Sequence, residues 1–471
     1  MGLCTTPACF MSCITAGYAY DASIMLTASH LPWNRNGCKF FTQKGGLGKK
    51  DISALVEAAA AADAAAGGAA PRAASVAAAS VDFLPVYAAQ LVDVIRKGVA
   101  HPTEYMTPLK GFKILVDAGN GSGGFFASQV LAPLGADTAG SQFLDPDGTF
   151  PNHVPNPEEA EAVESASAAV RKHQADLGVI FDTDVDRSAI IDRHGVAINR
   201  NRLIALLAAV VLRERPGATI VTDSVTSDGL AQFIEAAGGR HYRYRRGYKN
   251  VIDKGMELGA QGVDAPLMIE TSGHGAMAEN HYLDDGAYLA VKVLIEAGRR
   301  RLAGSGDIDQ LLATLHEPLE EAEFRLPLLA ADFKASGAAA LQAFTDEVAA
   351  GGFPGWQAVP VNHEGLRVSI DEGEGRSGWA LLRASLHDPL LVLNVESDTA
   401  GGAATATHAL RCWLQARAAA EHGVNIAALD KAFAPGGSWE GYADLTCALP
   451  RSTRLGGGTC GDLAEECQAE W

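Results

Sequence analysis

Four short stretches of this 471-residue chain, and one basic turn, hold residue types that could do phosphate or metal chemistry. Leu26-Thr27-Ala28-Ser29-His30-Leu31-Pro32, continuing through Asn34, Asn36, Gly37 and Lys39, sets a hydroxyl beside an imidazole and an amine. A serine nucleophile needs an exposed hydroxyl, a proton acceptor and positive charge to offset a phosphoryl group. Thr27, His30 and Lys39 supply such groups, although an ordinary polar turn fits the same residues. In Asp182-Thr183-Asp184-Val185-Asp186-Arg187, three alternating carboxylates can converge on one hard cation if the backbone curls. A calcium loop or a solvated turn fits the same residues, although an EF-hand would need Gly and Glu at its sixth and twelfth positions, which here are Arg187 and Arg193. Arg187 is placed to meet a phosphate held by that cation.

Glu270-Thr271-Ser272-Gly273-His274-Gly275 offers a carboxylate and a hydroxyl suited to vicinal sugar hydroxyls, or simply a glycine turn capping a helix. Arg383-Ala384-Ser385-Leu386-His387-Asp388-Pro389 offers a planar guanidinium fork and a hydroxyl for phosphate, with His387 as a further candidate. Arg243 and Arg245-Arg246-Gly247-Tyr248-Lys249 form the other local concentration of positive charge; a solvated basic turn is the alternative. Arg246, Gly247 and Tyr248 are carried forward as substrate-binding candidates.

Short buried strands followed by helical patterns must position these loops. Lys113–Asp117, Leu177–Phe181, Ala218–Asp223 and Leu267–Glu270 read as such strands, which predicts parallel α/β layers with loops at the strand ends. Residues 57–80 are nearly pure alanine and read as a mobile surface insertion or linker, because so little side chain cannot anchor a core. Strands near Leu366–Ile370 and Leu390–Val395 and a helix near Ala404–His422 give the last unit a different rhythm.

A chain of this length predicts three or four domains. The net charge of −18 argues against nucleic acid as a partner, which needs an electropositive footprint. No run approaches the roughly 20 apolar residues of a membrane span. None of the eight cysteines forms a Cys-x-x-Cys pair or has zinc-type spacing with histidines.

In this order, and spread over four units, the loops resemble those of the α-D-phosphohexomutases, the phosphoglucomutase/phosphomannomutase family, from about Cys4 to about Ala420. TASHLPWNRNGCKF resembles the family's phosphoserine loop, DTDVDR its metal loop, ETSGH its sugar loop and LLRASLHDP its phosphate loop; GTFPNHVPNP (148–157) also has a family counterpart. The resemblance implies that Ser29 carries the phosphoryl group, that Lys39 is general acid/base, and that His30 supports the loop electrostatically. It implies that Asp182, Asp184 and Asp186 hold Mg²⁺ together with Ser29, and that Glu270 and Ser272 grip the sugar. Arg187, Arg246, Gly247, Tyr248, His274, Arg383, Ser385 and His387 complete the expected substrate site.

The implied fold is α/β: three α/β phosphohexomutase-type domains, the first N-terminally truncated, plus a C-terminal α+β domain around a central cleft. The expected boundaries are 1–104 with the phosphoserine loop and alanine-rich insertion, 105–198 with the metal loop, 199–322 with the sugar loop, and 323–435 with the phosphate loop. A disordered tail is expected over 436–471. The implied reaction interconverts hexose 1-phosphate and hexose 6-phosphate, of glucose or mannose, through a phosphoserine and a hexose 1,6-bisphosphate. The protein is expected to act as a monomer or weak dimer in the cytoplasm, or in a plastid if an upstream targeting segment is missing.

The pattern also departs from the family. A Gly-Thr-Ser-Gly-x-Arg-Gly type segment is expected upstream of the phosphoserine loop and is missing. Leu386 and His387 replace two customary phosphate donors, Val225 stands where some members have a lysine, and Thr271 blurs the choice of sugar. The alternative expectation is therefore a degenerate member that binds sugar phosphate without turnover.

Overall fold

The computed structural model describes residues 1–67, 78–385, 388–419 and 422–442, which gather into two compact units. One comprises Met1–Thr222, Gln232–Tyr242 and Tyr248–Leu315; the other comprises Asp223–Ala231, Arg243–Gly247 and the described chain from His316 onward.

In the first unit the expected strands form, but the sheets are mixed rather than parallel. Leu177–Phe181 pairs in parallel with Ile114–Asp117 and antiparallel with Ser188–Asp192. Every residue of Leu177–Phe181 and Ser188–Asp192 is buried, as unbroken apolar runs require. Helix Ala160–His173 covers this sheet with Ala166, Ala169 and Val170 against Leu115, Ile180 and Ile191. A second sheet has the order Leu283–Asp284, Gly275–Met277, Leu267–Ile269, Thr219–Thr222, Arg240–Arg243. There Leu267–Ile269 is parallel to Thr219–Thr222 and antiparallel to Gly275–Met277. The reason for the reversals is chain length. Only residues 182–187 join the strands ending at Phe181 and starting at Ser188, and only 270–274 join those ending at Ile269 and starting at Gly275. A parallel crossover needs a dozen residues or more, so each loop is the tip of a hairpin.

A third, antiparallel sheet pairs Ala22–Leu26 with Cys38–Thr42. It rests on helix Thr6–Ile14 through Phe10, Cys13 and Phe41, with Leu283 in the same cluster. The start of the alanine-rich stretch belongs to Lys49–Ala65, a helix with no buried residue. Alanine's helix preference suffices where no core contact competes. Residues 68–77 lie outside the described residues. Helix Leu84–Val99 crosses helix Gly286–Ala303 closely, for a Cβ on Gly98 would sit 2.5 Å from Ile295 Cδ1.

The second unit is built on an antiparallel sheet in the order Glu320–Pro327, Leu390–Ser397, Arg376–Ala384, Leu366–Gly373, Trp356–Ala358. Strand periodicity divides its two faces. Val368, Ala380, Leu382, Leu391 and Leu393 point into a core with Phe344, Leu410 and Trp413. The intervening Arg367, Trp379, Leu381 and Arg383 are also buried, and Trp379 and Leu381 cluster with Val225. Arg367 stacks on Trp379 at 3.6 Å and donates to the Ser224 carbonyl and to Asp228. Of the expected tail, 443–471 lie outside the described residues. Before them, Trp439 packs on Phe324 and Phe433. Among the described residues, no helix is long and apolar enough to cross a membrane.

Candidate functional site

Ser29 and Lys39 come from one hairpin, whose strands end at the Leu26–Cys38 pair. Thr27 N–H closes the tip by donating to Gly37 O at 3.1 Å. A Cβ on Gly37 would lie 2.7 Å from the Thr27 carbonyl, so this closure needs glycine. Ser29 itself has φ +52°, a left-handed conformation that non-glycine residues adopt at a cost and that clusters at functional sites. Its N–H donates to Thr27 Oγ1 at 2.9 Å, which holds the turn.

The acidic loop supplies the facing wall. Val185 is left-handed too, at φ +67°, unusual for a β-branched residue. That conformation curls the loop, and Asp182, Asp184 and Asp186 converge with ligand oxygens within 4.8 Å of one another. All three are buried. Ser29 Oγ donates to Asp182 Oδ2 at 3.1 Å. Lys39 Nζ donates to Asp184 Oδ2 at 2.8 Å and also to Asp186 Oδ2, and Thr6 Oγ1 donates to Asp184 Oδ2 at 2.5 Å.

Arg187, 3% exposed, spends its whole guanidinium here. Its Nε donates to Asp182 Oδ2 at 3.2 Å and one outer nitrogen to Asn156 Oδ1 at 3.1 Å. The other outer nitrogen reaches Ser29 Oγ at 2.8 Å and His30 Nδ1 at 2.6 Å. Because a guanidinium can only donate, His30 Nδ1 is an acceptor and the ring is neutral. Burial and the charges of Arg187 and His274 agree, taking His30 down to about 4.

Electrostatics set the remaining protonation states. Burial opposes a charged Lys39, but Asp186 and Asp184 outweigh it and hold the ammonium well above its usual range. Burial, together with Asp186 and Asp184, pushes the Asp182 carboxyl well up. Asp186 goes the other way, because Lys39, His274 and Arg187 overcome its burial. Asp184 Oδ1 and Asp186 Oδ1 are buried without a hydrogen-bond partner. An unsatisfied buried acceptor costs about 1–3 kcal/mol. Two of them, in a set of hard carboxylate oxygens, fit a divalent cation.

The ETSGH loop adjoins this wall through an antiparallel bridge between Arg187 and His274. Gly273, at φ +89°, makes the turn; a Cβ there would meet the Ser188 carbonyl at 2.9 Å. Ser272 Oγ donates to Glu270 Oε2 at 3.3 Å, so the two predicted sugar ligands face each other. His274 Nδ1 is 2.7 Å from Asp284 Oδ2 and 3.6 Å from Asp186 Oδ1, and its ring stacks on Tyr248 at 4.9 Å. Burial works against the imidazolium, yet Asp284 and Asp186 raise His274 to about 9.

The structure therefore brings together Ser29, His30, Lys39, the three aspartates, Arg187, Tyr248, Glu270, Ser272 and His274 within the first unit. Arg246, Gly247, Arg383 and Ser385 belong to the second. There Glu364 accepts from Ser224 Oγ and, at 3.0 Å, from Arg246 N–H, with Arg383 3.9 Å away. Arg383 Nε is buried without a partner. Ser385 Oγ accepts from Asp388 N–H at 3.2 Å. His387 lies outside the described residues. Sequence reading gave no role to Thr6, Asn156 or Asp284 in the first unit or to Glu364 in the second. Asp284 had a signal, as one of an acidic pair before an apolar helix whose first residues Asp285 caps, and Asn156 lay in the segment 148–157; Thr6 and Glu364 are placed only by the fold.

Comparison with known proteins adds an independent line. Residues 1–66, 96–195 and 199–315 match models of phosphoglucomutase/phosphomannomutase α/β/α domains I, II and III respectively. A phosphomannomutase/phosphoglucomutase of Pseudomonas putida is 30% identical over 402 residues, 85% of this chain and 77% of the relative. A phosphoglucomutase of Neisseria meningitidis serogroup A is 28% identical over 85% of this chain and 78% of its own length. A crystal structure of a phosphoglucomutase/phosphomannomutase family protein from Burkholderia thailandensis superposes with TM-score 0.68 at 27% identity, covering 89% of this chain and 83% of that one.

Proposed function

We propose, from the premise that this chain belongs to the phosphoglucomutase/phosphomannomutase family of phosphohexomutases, that it interconverts hexose 1-phosphate and hexose 6-phosphate of glucose or mannose through a phosphoserine at Ser29. One observation carries this reading: a left-handed Ser29 whose hydroxyl lies 3.1 Å from Asp182 Oδ2 and 2.8 Å from an Arg187 nitrogen. The aspartate orients the hydroxyl, and the guanidinium is in place to meet oxygens of a phosphoryl group arriving on it.

Asp182, Asp184 and Asp186 would hold a divalent ion, which we take to be Mg²⁺ because the donors are hard carboxylate oxygens. When bound, it would supply Lewis-acid stabilisation of charge on phosphoryl oxygens. Phosphorylated Ser29 donates first to the free hydroxyl of the hexose phosphate, giving a hexose 1,6-bisphosphate, which turns over and returns its other phosphoryl group to Ser29. In each transfer the proton lost by the attacking hydroxyl is gained by the departing oxygen, and Lys39 is the acid/base that moves it on the sugar side. Glu270 and Ser272 read vicinal sugar hydroxyls. His274, cationic at neutral pH, adds positive charge beside the acidic trio. Arg383 and Ser385 bind the phosphate that is not being transferred.

A sugar-phosphate binder without turnover is the weaker reading, since Ser29, Lys39 and the three aspartates are all retained and the curated relatives are mutases by name. A coupled assay of glucose 1-phosphate to glucose 6-phosphate separates the two. Wild-type turnover that falls by on the order of 10⁴-fold or more in Ser29→Ala is expected for a covalent nucleophile. Turnover that survives the substitution would remove the phosphoserine route.

A further inference from the structure

The segment 148–157, GTFPNHVPNP, enters the site only through Asn156 on Arg187, and its packing leads from there to Ser29. It is seated on the end of strand Ile114–Asp117. His153 Nε2 lies 3.0 and 3.2 Å from the two oxygens of Asp117, and Nδ1 lies 2.9 Å from the Val154 carbonyl. Neither a carboxylate nor a carbonyl can donate, so both ring nitrogens act as donors in a buried imidazolium–carboxylate pair. Gly119, at φ +51°, makes room for this seat: a Cβ there would come within 2.8 Å of Pro155 and 3.2 Å of His153.

The anchor presents Asn156, which is 5% exposed. Its Oδ1 accepts from Glu158 N–H at 3.2 Å in a local turn and from Arg187 at 3.1 Å. Both partners are donors only, so the orientation of the amide is determined. The Nδ2 side faces Glu159 Oε1 at 3.4 Å. Arg187 is thereby gripped at Nε by Asp182 and at one outer nitrogen by Asn156, which leaves the second outer nitrogen aimed at Ser29 Oγ. Among the described residues Asn156 is the one partner of the first outer nitrogen, so without it the guanidinium plane loses the contact that opposes Asp182, Ser29 and His30.

Resting on the reading of Ser29 as the phosphoryl carrier, we infer that Asn156 is a positioning residue for phosphoryl transfer, holding Arg187 so that its other outer nitrogen, shared with His30 Nδ1, addresses Ser29. A neutral amide suits this task. It fixes the guanidinium without cancelling the positive charge that the phosphoryl oxygens need.

The test compares Asn156→Ala with Asn156→Asp, which keeps an acceptor at the Oδ1 position. Misplacing a catalytic group by about 1 Å costs on the order of 100-fold. Asn156→Ala is therefore expected to lower kcat, and the rate at which hexose 1,6-bisphosphate phosphorylates Ser29, by about 10- to 100-fold. KM for glucose 1-phosphate and the melting temperature should stay near wild type. Asn156→Asp should restore the hold on Arg187 but recover only part of the rate, because its charge offsets that of the guanidinium. If Asn156→Ala does not fold, Asn156→Ser, which retains a hydroxyl for the turn onto Glu158 but is too short to reach Arg187, gives the same comparison. Wild-type rates in the Ala or Ser variant would overturn the inference, as would a loss of rate that tracks a fall in melting temperature in all variants. A second readout does not depend on turnover: the ¹⁵Nε signal of Arg187, assigned with Arg187→Lys, should report an immobilised side chain in wild type and motional averaging in Asn156→Ala. If wild type shows no mutase turnover, the functional reading fails. An Arg187 signal unchanged by Asn156→Ala overturns the positioning inference on its own.

Discussion

Gly286→Ala should cripple the acidic loop without touching any side chain of the site. Gly286 opens helix Gly286–Ala303 behind the cap Asp285, and its N–H donates to the Val185 carbonyl at 3.1 Å. A Cβ at this position would sit 2.5 Å from Arg187 C, 2.6 Å from its O and 2.8 Å from its N. These are backbone atoms of the loop and cannot rotate away. Moving the nearest one from 2.5 Å to the 3.4 Å of ordinary contact displaces the loop by about 0.9 Å. Overpacking of this kind costs about 1–3 kcal/mol of stability, and a misplacement near 1 Å costs on the order of 100-fold in rate. The other side of the loop gives no relief, because Gly121 already packs there, with a Cβ position 2.6 Å from the Thr183 carbonyl. The assay is kcat for glucose 1-phosphate isomerisation, with melting temperature measured alongside. Gly148→Ala serves as control, since nothing lies within 4 Å of its Cβ position. Gly286→Ala with wild-type kcat and an unchanged requirement for divalent ion would refute the claim that this loop's backbone position sets the site.

Stripping divalent ions with a chelator should abolish turnover and Mg²⁺ should restore it, while Asp186→Asn should raise the Mg²⁺ concentration needed for half-maximal rate by 10-fold or more, read by titration. Arg383→Gln should raise KM for hexose phosphate by about 10-fold or more, the scale of one lost charge-assisted phosphate contact, with a smaller change in kcat. Asp285 gives a pH test of stability. Its burial outweighs hydrogen bonds from Tyr87, Asn280 and the Tyr288 N–H and raises the carboxyl from 3.8 to about 6. A carboxyl raised on folding binds its proton more tightly in the native state, so its contribution is complete below about pH 4 and is lost as pH rises through 6. The stability of wild type relative to Asp285→Asn should therefore fall by up to about 3 kcal/mol between pH 4 and 7, read by denaturant melts; a difference independent of pH would contradict it.

Much of this site was legible in residue order. The spacing of Asp182, Asp184 and Asp186 after an apolar strand announced a cation site, and the burial and orphaned oxygens of the loop agree with it. What could not be read was how the loop curls, because nothing local marks Val185 for a left-handed conformation; packing against Gly286 and Gly121 accompanies it. The strands were visible as apolar runs, but their direction was not, since the decisive quantity was connection length rather than composition. His30 was expected to support the loop electrostatically without its form being fixed, and its contact with Arg187 makes it a neutral acceptor. Lys39 was expected as general acid/base, and the fold adds that it pairs with two aspartates. The partners of Asn156 and Thr6 could not be read because they lie 31 and 178 residues away. Alanine content over 57–80 foretold a segment with no core contact, and where it overlaps helix Lys49–Ala65 no residue is buried, the helix itself following from propensity.

The most direct measurement is the location of the phosphoryl group. Incubation with glucose 1,6-bisphosphate and Mg²⁺, followed by peptide mass spectrometry, should find one phosphate on Ser29 that is discharged by excess glucose 1-phosphate and is absent from Ser29→Ala. Phosphate on any other residue, or isomerisation by a protein whose Ser29 stays unmodified throughout, would contradict the account.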